Sequence, residues 1–452
     1  MQKNLMYKIV AIVGLTLLIV IALAMIESTI RERARFRDQA VASIATESVR
    51  QQVIAGPVLV ISYDDEFEAP EAADGKTTMV TQVVHRKHLV FPNQLSVNGT
   101  VDTDRRHRGI HQVLVYTSLQ KFSGDFTLPT LSELPRAKQD SRVRVGMARV
   151  ALGIEDVRGI RNIPQIDFDG AKLEFGQGSS LDGLPRGMHA DVGVLPLAQA
   201  RRVNFAFTLG LDGIEKLDLV PFGNNNKVNL RSNWAHPQFG GRFLPSPRER
   251  VINDKGFEAT WDISSLATSA QQQLRKLDAS ASEHAPTLAG LDSFSVGFIE
   301  PVNVYSLAER AAKYGLLFVG LTFGGFFVVE ILKRLQIHPI QYLLVGLALA
   351  LFFLLLVSLS EHIAFWLAYL VASLECIVLI GFYLSFVLRD WTRGFGFGAG
   401  LTLLYSALYG ILISEDNALV LGSLLLFAVL AAVMVATRKV DWYAIGRSEA
   451  AA

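Results

Sequence analysis

The stretch Tyr342–Leu359, YLLVGLALALFFLLLVSL, contains no charged residue and decides the class of this protein. Its length is close to the ~20 residues that a helix needs to cross the hydrocarbon core of a bilayer. Similar stretches occur once near the N-terminus and four more times in the C-terminal third: Ile9–Met25, Gly315–Ile331, Ile363–Val387, Gly396–Ile413 and Ala418–Ala436. The sequence therefore predicts a membrane protein with six transmembrane α-helices.

The charges that flank the apolar stretches alternate from one connection to the next. Basic residues mark one set of connections: Lys333, Arg334, Arg389, Arg393, Arg438, Lys439 and Arg447. The other short connections hold Glu361 with His362, and Glu415 with Asp416, and lack Lys and Arg. Because Lys and Arg are enriched in cytoplasmic loops, we expect both termini in the cytoplasm. The large segment between the first two crossings then lies outside the cytoplasm.

The first apolar stretch allows two interpretations. Lys3 and Lys8, the apolar run and Ala22-Leu23-Ala24 resemble a signal peptide with a cleavage site. The run is longer than a usual signal core, which favours an uncleaved anchor. Apolar residues then recur at helical spacing from Ile30 to Val53, so we expect this helix to continue outward and to pack on the external domain.

From Pro57 the apolar period changes to two, which predicts β-strands separated by turns. The expected fold is a large antiparallel, sandwich-like β domain, with a short helix at Ala270–Leu277. The predicted strands are Pro57–Tyr63, Met79–Val90, Gln94–Thr103, Gln112–Tyr116, Asp125–Leu128, Arg142–Gly153, Lys172–Phe175, Val203–Leu211, Lys227–Asn233, Phe257–Ile263 and Ser293–Glu300. The predicted regions are an anchor at 1–26, a juxtamembrane helix at 27–56, the β-rich domain at 57–310, a five-helix block at 311–437 and a cytoplasmic tail at 438–452.

Composition restricts the functional classes. With 43 Lys and Arg against 42 Asp and Glu, the chain lacks the basic field that a nucleic-acid surface needs. Its single cysteine, Cys376, lies in an apolar stretch, so the external segment has no disulfide. No nucleophile elbow, zinc-protease motif or phosphate-binding glycine loop occurs, so we expect no catalysis and no cofactor. His85, His88, His107 and His111 lie among arginines that repel a cation, so we expect no metal site.

Within the membrane stretches, Glu375 is the most unusual residue. A carboxylate near the centre of a bilayer costs about 2.5–3.5 kcal/mol, which makes Glu375 a candidate functional residue. The alternative is a protonated side chain that is hydrogen-bonded to the next helix, where Tyr405, Ser406 and Tyr409 are the candidate partners. Small residues at four-residue spacing, Gly320 with Gly324 and Gly396 with Gly400, are typical of close helix packing.

Several segments resemble the CreD family of inner-membrane proteins. They are RSNWAHPQFGGRFLPSPR at Arg231–Arg248, GFEATW at Gly256–Trp261, LAERAAKYG at Leu307–Gly315, HPIQYLLVGLALALFFLLLVSLSEH at His338–His362 and VDWY at Val440–Tyr443. The arrangement of one crossing, an external domain and a C-terminal membrane block is also similar. The motif residues of unknown role are Trp234, His236, Pro237, His338, Pro339, Gln341, Tyr342, Glu361 and His362.

The resemblance implies a Gram-negative inner-membrane protein with a periplasmic domain, connected to envelope stress, colicin tolerance and the response to β-lactams. It implies no established catalytic activity. Our leading hypothesis is a protein of cell envelope integrity that acts through its periplasmic domain. Its expected partners are the lipid bilayer and an envelope protein or cell-wall component, and a homo-oligomer is possible on this sequence. The alternatives are a transporter or flippase with a path through the C-terminal helices, and a periplasmic enzyme.

Overall fold

A computed structural model describes residues 2–47, 49–73, 76–108, 111–279, 288–298, 304–333, 337–388, 390–414 and 417–438. The chain divides into two compact units, which we call the helical unit (Met1–Gln39 with Val302–Ala452) and the β domain (Ala40–Pro301). Several predictions fall outside the described residues: the charges at Arg334, Arg389, Glu415, Asp416, Lys439 and Arg447, the VDWY segment, and the side chains of Lys333, His107 and His111.

The first helix, α1, runs without interruption over Gln2–Glu47. Ile19, Leu23 and Ile30 lie on one face of it and are buried. Ile30 packs on Ala308, Ala312 and Val357 of the helical unit. The predicted continuation of the first crossing as a helix is therefore present. Ile30, the first residue of the predicted stripe, packs within the helical unit.

The β domain begins earlier than the alternating pattern suggested, because Gln52–Ala55 already pair with a parallel strand. Its elements are β1 Gln52–Ala73, β2 Lys76–Val90, β3 Gln94–Arg108, β4 His111–Leu128, β5 Arg142–Ile154, β6 Gln165–Phe168, β7 Ala171–Gln177, β8 Gly187–Gly193, β9 Arg201–Ile214, β10 Lys216–Val220, β11 Asn225–Ser232, β12 Pro237–Gly241, β13 Arg250–Asn253, β14 Gly256–Ser264, α2 Ala270–Ala279 and β15 Phe294–Phe298.

These strands form one sheet in the order β12-β15-β10-β1-β5-β8-β7-β6-β9-β4-β3-β11-β14-β13, with β2 paired to β1. Most pairs are antiparallel, but β1–β10 and β3–β11 are parallel. Parallel neighbours need long connections, and several strands separate the members of each pair along the chain. The purely antiparallel prediction was therefore wrong at these two pairs.

The two halves of the sheet enclose the larger of two hydrophobic clusters described in the β domain, and the other includes Ala270 and Leu274 of α2. Trp261 of β14 stacks on Phe294 of β15 with ring centroids 4.7 Å apart, and Tyr116 of β4 contacts Phe298 of β15 at 5.1 Å. Strands β14 and β15 lie near opposite ends of the strand order, yet their side chains are in contact. The two ends of the sheet therefore pack against each other, as the sheets of a sandwich do. Burying each large side chain contributes about 1.5–3 kcal/mol, so these rings are a main source of the stability of the domain.

The rest of the helical unit consists of α3 Val304–Lys313, α4 Gly315–Lys333, α5 Pro339–Ser360, α6 Phe365–Val387, α7 Trp391–Ile413 and α8 Ala418–Thr437. Among the described residues, α1 and α5–α8 are long and apolar enough to cross a membrane. A sixth crossing exists only if α3 and α4, which bend by 42° against each other, are counted as one broken span. The membrane class is thus supported, and the predicted count of six depends on this bent pair.

Candidate functional site

A polar cleft of about 710 Å³ lies on the β domain, beside β2 and the C-terminal end of α2. Two of the strands that line the cleft, β1 and β2, are paired in a register that places Ser62 opposite Lys87 and Asp64 opposite His85. Because residues two apart on a strand share a face, these four side chains project from the same side of the sheet. The cleft is also lined by Asp182, Arg275 and Asp278.

Charges of both signs line this cleft, and most of them are paired. His85 Nδ1 lies 2.6 Å from Asp64 Oδ1, and Lys87 Nζ lies 2.6 Å from Asp182 Oδ1. The exposed Arg275 guanidinium lies 5.3 Å from the centre of the Phe91 ring and has no carboxylate partner among the described residues. The cleft therefore offers an available cation next to groups that both donate and accept hydrogen bonds.

On the opposite face of this strand pair, the side chain of Asp65 of β1 is fully buried. Burial raises the pKa of this carboxyl, but hydrogen bonds from the Ala137 N–H, Ser141 and Arg86 outweigh that effect and lower the pKa below its ordinary value. Burial, and then the nearby Arg275, lower the pKa of His88. In the part of the chain that is described, no three His, Cys, Asp or Glu side chains could hold a metal ion.

The motif residues Trp234, His236 and Pro237 lie where β11 leads into β12. The Trp234 Nε1–H donates to the His236 carbonyl at 2.9 Å, and the rings of these two residues meet edge to face. Arg105 lies 6.0 Å from the Trp234 ring centre, and Pro237 is the first residue of β12. These contacts order the turn between the strands and bring no reactive pair together.

The motif residues His338, Pro339 and Gln341 form the start of α5. The His338 Nδ1 accepts from the Ile340 N–H, and the Gln341 Oε1 accepts from the His338 N–H at 3.0 Å. This reciprocal arrangement is a capping box, and Pro339 occupies the first turn, where its missing N–H costs nothing. The described contacts of these three residues are those of a helix start.

Tyr342, which follows this capping box, is fully buried and donates its hydroxyl hydrogen to Glu330 Oε2 at 2.7 Å. The Ile337 N–H donates to Glu330 Oε1 at 3.2 Å. The Glu330 side chain on α4 is buried, and its bond to Tyr342 joins two neighbouring helices. The motif tyrosine was visible in the sequence, but its partner was not, since the two lie 12 positions apart on different helices.

Glu361 and His362 lie just after α5. The Tyr305 hydroxyl donates to Glu361 Oε1 at 3.2 Å, and the Arg33 guanidinium lies 3.9 Å from the same oxygen. Arg31 on α1 likewise pairs with Glu27 and Glu309. His362 is exposed. Arg31 and Arg33, which follow the first apolar stretch, thus have acidic partners within the helical unit.

Glu375 lies on the outward face of α6 and is exposed, between the exposed Leu374 and the buried Cys376. Two of the three expected partners on α7 make other hydrogen bonds, and the ring of the third, Tyr409, contacts Tyr369. The Tyr405 hydroxyl donates to Cys376 Sγ at 3.1 Å, and the Ser406 hydroxyl donates to the Thr402 carbonyl. Among the described residues, the Glu375 carboxyl has no hydrogen-bond partner, so the predicted bond to the next helix is absent.

The glycines predicted for helix packing, Gly320, Gly324, Gly396 and Gly400, have open space where a Cβ would lie, within the described residues. Gly394 makes the close contact instead, since an added Cβ would lie 2.7 Å from Ser385 Cβ on α6. Gly394 and Gly396 are two residues apart and therefore face nearly opposite sides of α7. Close packing of α7 on α6 thus uses a different face of this helix.

The comparisons with known proteins agree over the length of the chain. The family model "Inner membrane protein CreD" matches residues 4–443. The Inner membrane protein CreD of Escherichia coli (strain K12) is 34% identical over 450 residues, which cover 98% of this chain and 95% of that protein.

Among solved structures, a candidate nutrient binding protein from Legionella pneumophila matches 52% of this chain and 77% of its own, at 9% identity and a TM-score of 0.20. A likeness at that TM-score shows neither fold nor function. The whole-length family match and the 34% identity instead show that this chain belongs to the CreD family of inner-membrane proteins.

Proposed function

We propose that this protein maintains cell envelope integrity under stress by holding its β domain in the periplasm, where the polar cleft binds an envelope protein or a cell-wall component without catalysis. The observation that carries the proposal is the cleft itself, with paired charges of both signs around an available guanidinium at Arg275. Such a surface suits a partner that presents both hydrogen-bond donors and acceptors. A partner with charges of one sign only would be repelled by the cleft residues of that sign.

The cleft can be tested in the full-length protein. A strain that lacks this protein is complemented with Arg275→Glu or Lys87→Glu and is challenged with detergent, β-lactam and colicin. We expect both variants to lose rescue, because each inverts a cation of the cleft. Arg250→Glu is the matched control, since Arg250 is also an exposed arginine of the β domain and does not line the cleft. Full rescue by both cleft variants, at normal protein levels, contradicts the proposal.

The periplasmic location follows from the charge alternation and has its own test. Leu266, which is 97% exposed, is replaced by Cys in a Cys376→Ser background. We expect a membrane-impermeant maleimide to label this site once the outer membrane is permeabilised. A cysteine at Ala452 should react only after the inner membrane is broken. Equal protection of both sites would place the β domain in the cytoplasm.

The transporter or flippase alternative receives less support. Its main argument was the intramembrane carboxyl of Glu375, which would have to line a path between helices. Glu375 instead projects from the outer face of α6. Inward-facing positions of α6 such as Tyr369, Cys376 and Ile380 are buried in a packed cluster of aromatic and aliphatic side chains. Full complementation by Glu375→Gln would remove the remaining support for transport.

A further inference from the structure

Glu375 lies near the midpoint of α6, on the exposed face of this helix. This helix spans Phe365–Val387, so Glu375 lies within one residue of its midpoint. Successive helical residues are rotated by roughly 100°, and the buried Cys376 marks the side that packs on α5 and α7. Val378 and Leu379 next to Glu375 are 59% and 57% exposed. The carboxyl thus points away from the other helices of its own chain.

A carboxyl in the hydrocarbon needs a hydrogen-bond partner, because lipid chains provide none. No described side chain of this chain meets Glu375, and α8 presents no ionisable residue that could meet it from outside. A polar group from another polypeptide in the membrane would satisfy this carboxyl. The requirement is specific, because the partner has to offer a polar group at the same depth of the bilayer.

The apolar residues around Glu375 have the spacing of a helix-pairing seam. Val371, Glu375, Val378 and Phe382 follow one another at intervals of four, three and four residues. Val378 and Phe382 are exposed, and Val371 is half-buried. Intervals of three and four place residues at the contact positions of a two-helix coiled coil. A single polar residue at such a position is known to fix the register of the pair.

We propose that a second copy of this chain packs on this seam of α6, and that the two Glu375 carboxyl groups hydrogen-bond to each other. Two copies in one membrane share the same orientation, so a two-fold axis along the membrane normal makes α6 and its copy parallel. A parallel pair places identical contact positions opposite each other. Glu375 then meets a carboxyl at its own depth, provided that at least one of the two is protonated. This inference goes beyond the proposed function and does not depend on the cleft.

Cysteine cross-linking of the full-length protein in native membranes tests the seam. In a Cys376→Ser background, Glu375→Cys, Val378→Cys and Phe382→Cys should each form a disulfide between copies under mild oxidation. Leu370→Cys is the matched control, because Leu370 is about as exposed as Val378, at 55% against 59%, but lies roughly 140° from Glu375 around the helix. Leu424→Cys on α8 is a second exposed control. Equal cross-linking at the controls, or none at the seam, overturns the proposal.

The carboxyl pair has a separate test. Self-association of the purified protein in lipid bilayers is measured by energy transfer between labelled copies. Glu375→Leu should weaken it about tenfold, the effect of losing about 1.4 kcal/mol of interhelical hydrogen bonding. Glu375→Gln should retain most of it, because amides also pair with each other. Unchanged association of Glu375→Leu would show that the carboxyl pair does not hold the copies together and would overturn that part of the proposal.

Discussion

The Tyr342 hydroxyl donates to Glu330 Oε2 at 2.7 Å, and this bond joins the end of α4 to the start of α5. The Ile337 N–H holds the other carboxylate oxygen at 3.2 Å. Glu330 is 5% exposed, so few water molecules can replace either donor. The motif tyrosine Tyr342 therefore has a structural role, because its hydroxyl hydrogen-bonds to a buried carboxylate. Removal of this hydroxyl should lower the stability of the helical unit.

We expect Tyr342→Phe to destabilise the helical unit by about 1–3 kcal/mol, the typical cost of a buried polar group that loses its partner. Glu330→Gln should cost less, because the amide oxygen can still accept from Tyr342. The measurement is the denaturant midpoint of the purified full-length protein in detergent. Tyr383→Phe is the control, since Tyr383 is a half-buried tyrosine of α6. Equal destabilisation by both Phe variants would contradict the role of the hydroxyl.

The His338 side chain should matter as a helix cap and not as an acid or base. Its Nδ1 accepts from the Ile340 N–H, a task that the side-chain oxygen of Asn or Ser also performs. We therefore expect His338→Asn to rescue the deletion strain fully. His338→Ala should lower the stability of the purified protein by about 0.5–2 kcal/mol. Failure of a stable, normally expressed His338→Asn protein would assign the imidazole a chemical role.

The stability of the β domain should depend on pH through His88. Burial, followed by the nearby Arg275, lowers the pKa of His88 below its ordinary value of 6.5. The unfolded chain then binds this proton more readily than the folded one, so stability falls as the pH drops below about 6.5. The loss levels off once the pH passes below the folded pKa. Thermal unfolding of the full-length protein between pH 7.5 and 5 measures this dependence.

His88→Gln should flatten this part of the profile, because glutamine does not titrate. Arg275→Gln should reduce it only partly, since burial remains as the larger cause. A wild-type profile that His88→Gln leaves unchanged would show that other groups carry the pH dependence. Arg275→Gln also removes the guanidinium that we propose contacts the partner in the cleft. Rescue of the deletion strain by this variant should therefore be measured as well.

The elements that sequence predicted well depend on local composition. A run such as Tyr342–Leu359 is apolar on all faces of a helix, so this helix either crosses a membrane or is buried in a protein. Pro339 marks the start of α5 in the sequence, because its fixed φ suits the first turn of a helix. Arg142–Val145 alternates between Arg and Val and begins β5. Each of these signals lies within a few residues.

Features that depend on distant partners were missed. The strand β10 is buried at four of its five positions and so lacks alternation, and β12 contains Pro237 and two glycines. The segments Gln112–Tyr116 and Asp125–Leu128 were predicted as two strands but belong to the single strand β4. Similarly, the direction in which Glu375 points depends on which face of α6 packs on its neighbours, and this cannot be read from an evenly apolar helix.

The glycines of α7 provide a final test of the packing. An added Cβ at Gly394 would lie 2.7 Å from Ser385 Cβ, and the helix backbones would have to separate. At Gly396 an added Cβ meets no described atom within 4 Å. We therefore expect Gly394→Ala to destabilise the helical unit by about 1–3 kcal/mol, as overpacking does. Gly396→Ala should be neutral or stabilising, because alanine favours a helix over glycine by about 1 kcal/mol. Denaturant midpoints of the two variants decide this directly: a larger loss for Gly396→Ala would mean that α7 packs through the face that the four-residue spacing indicated.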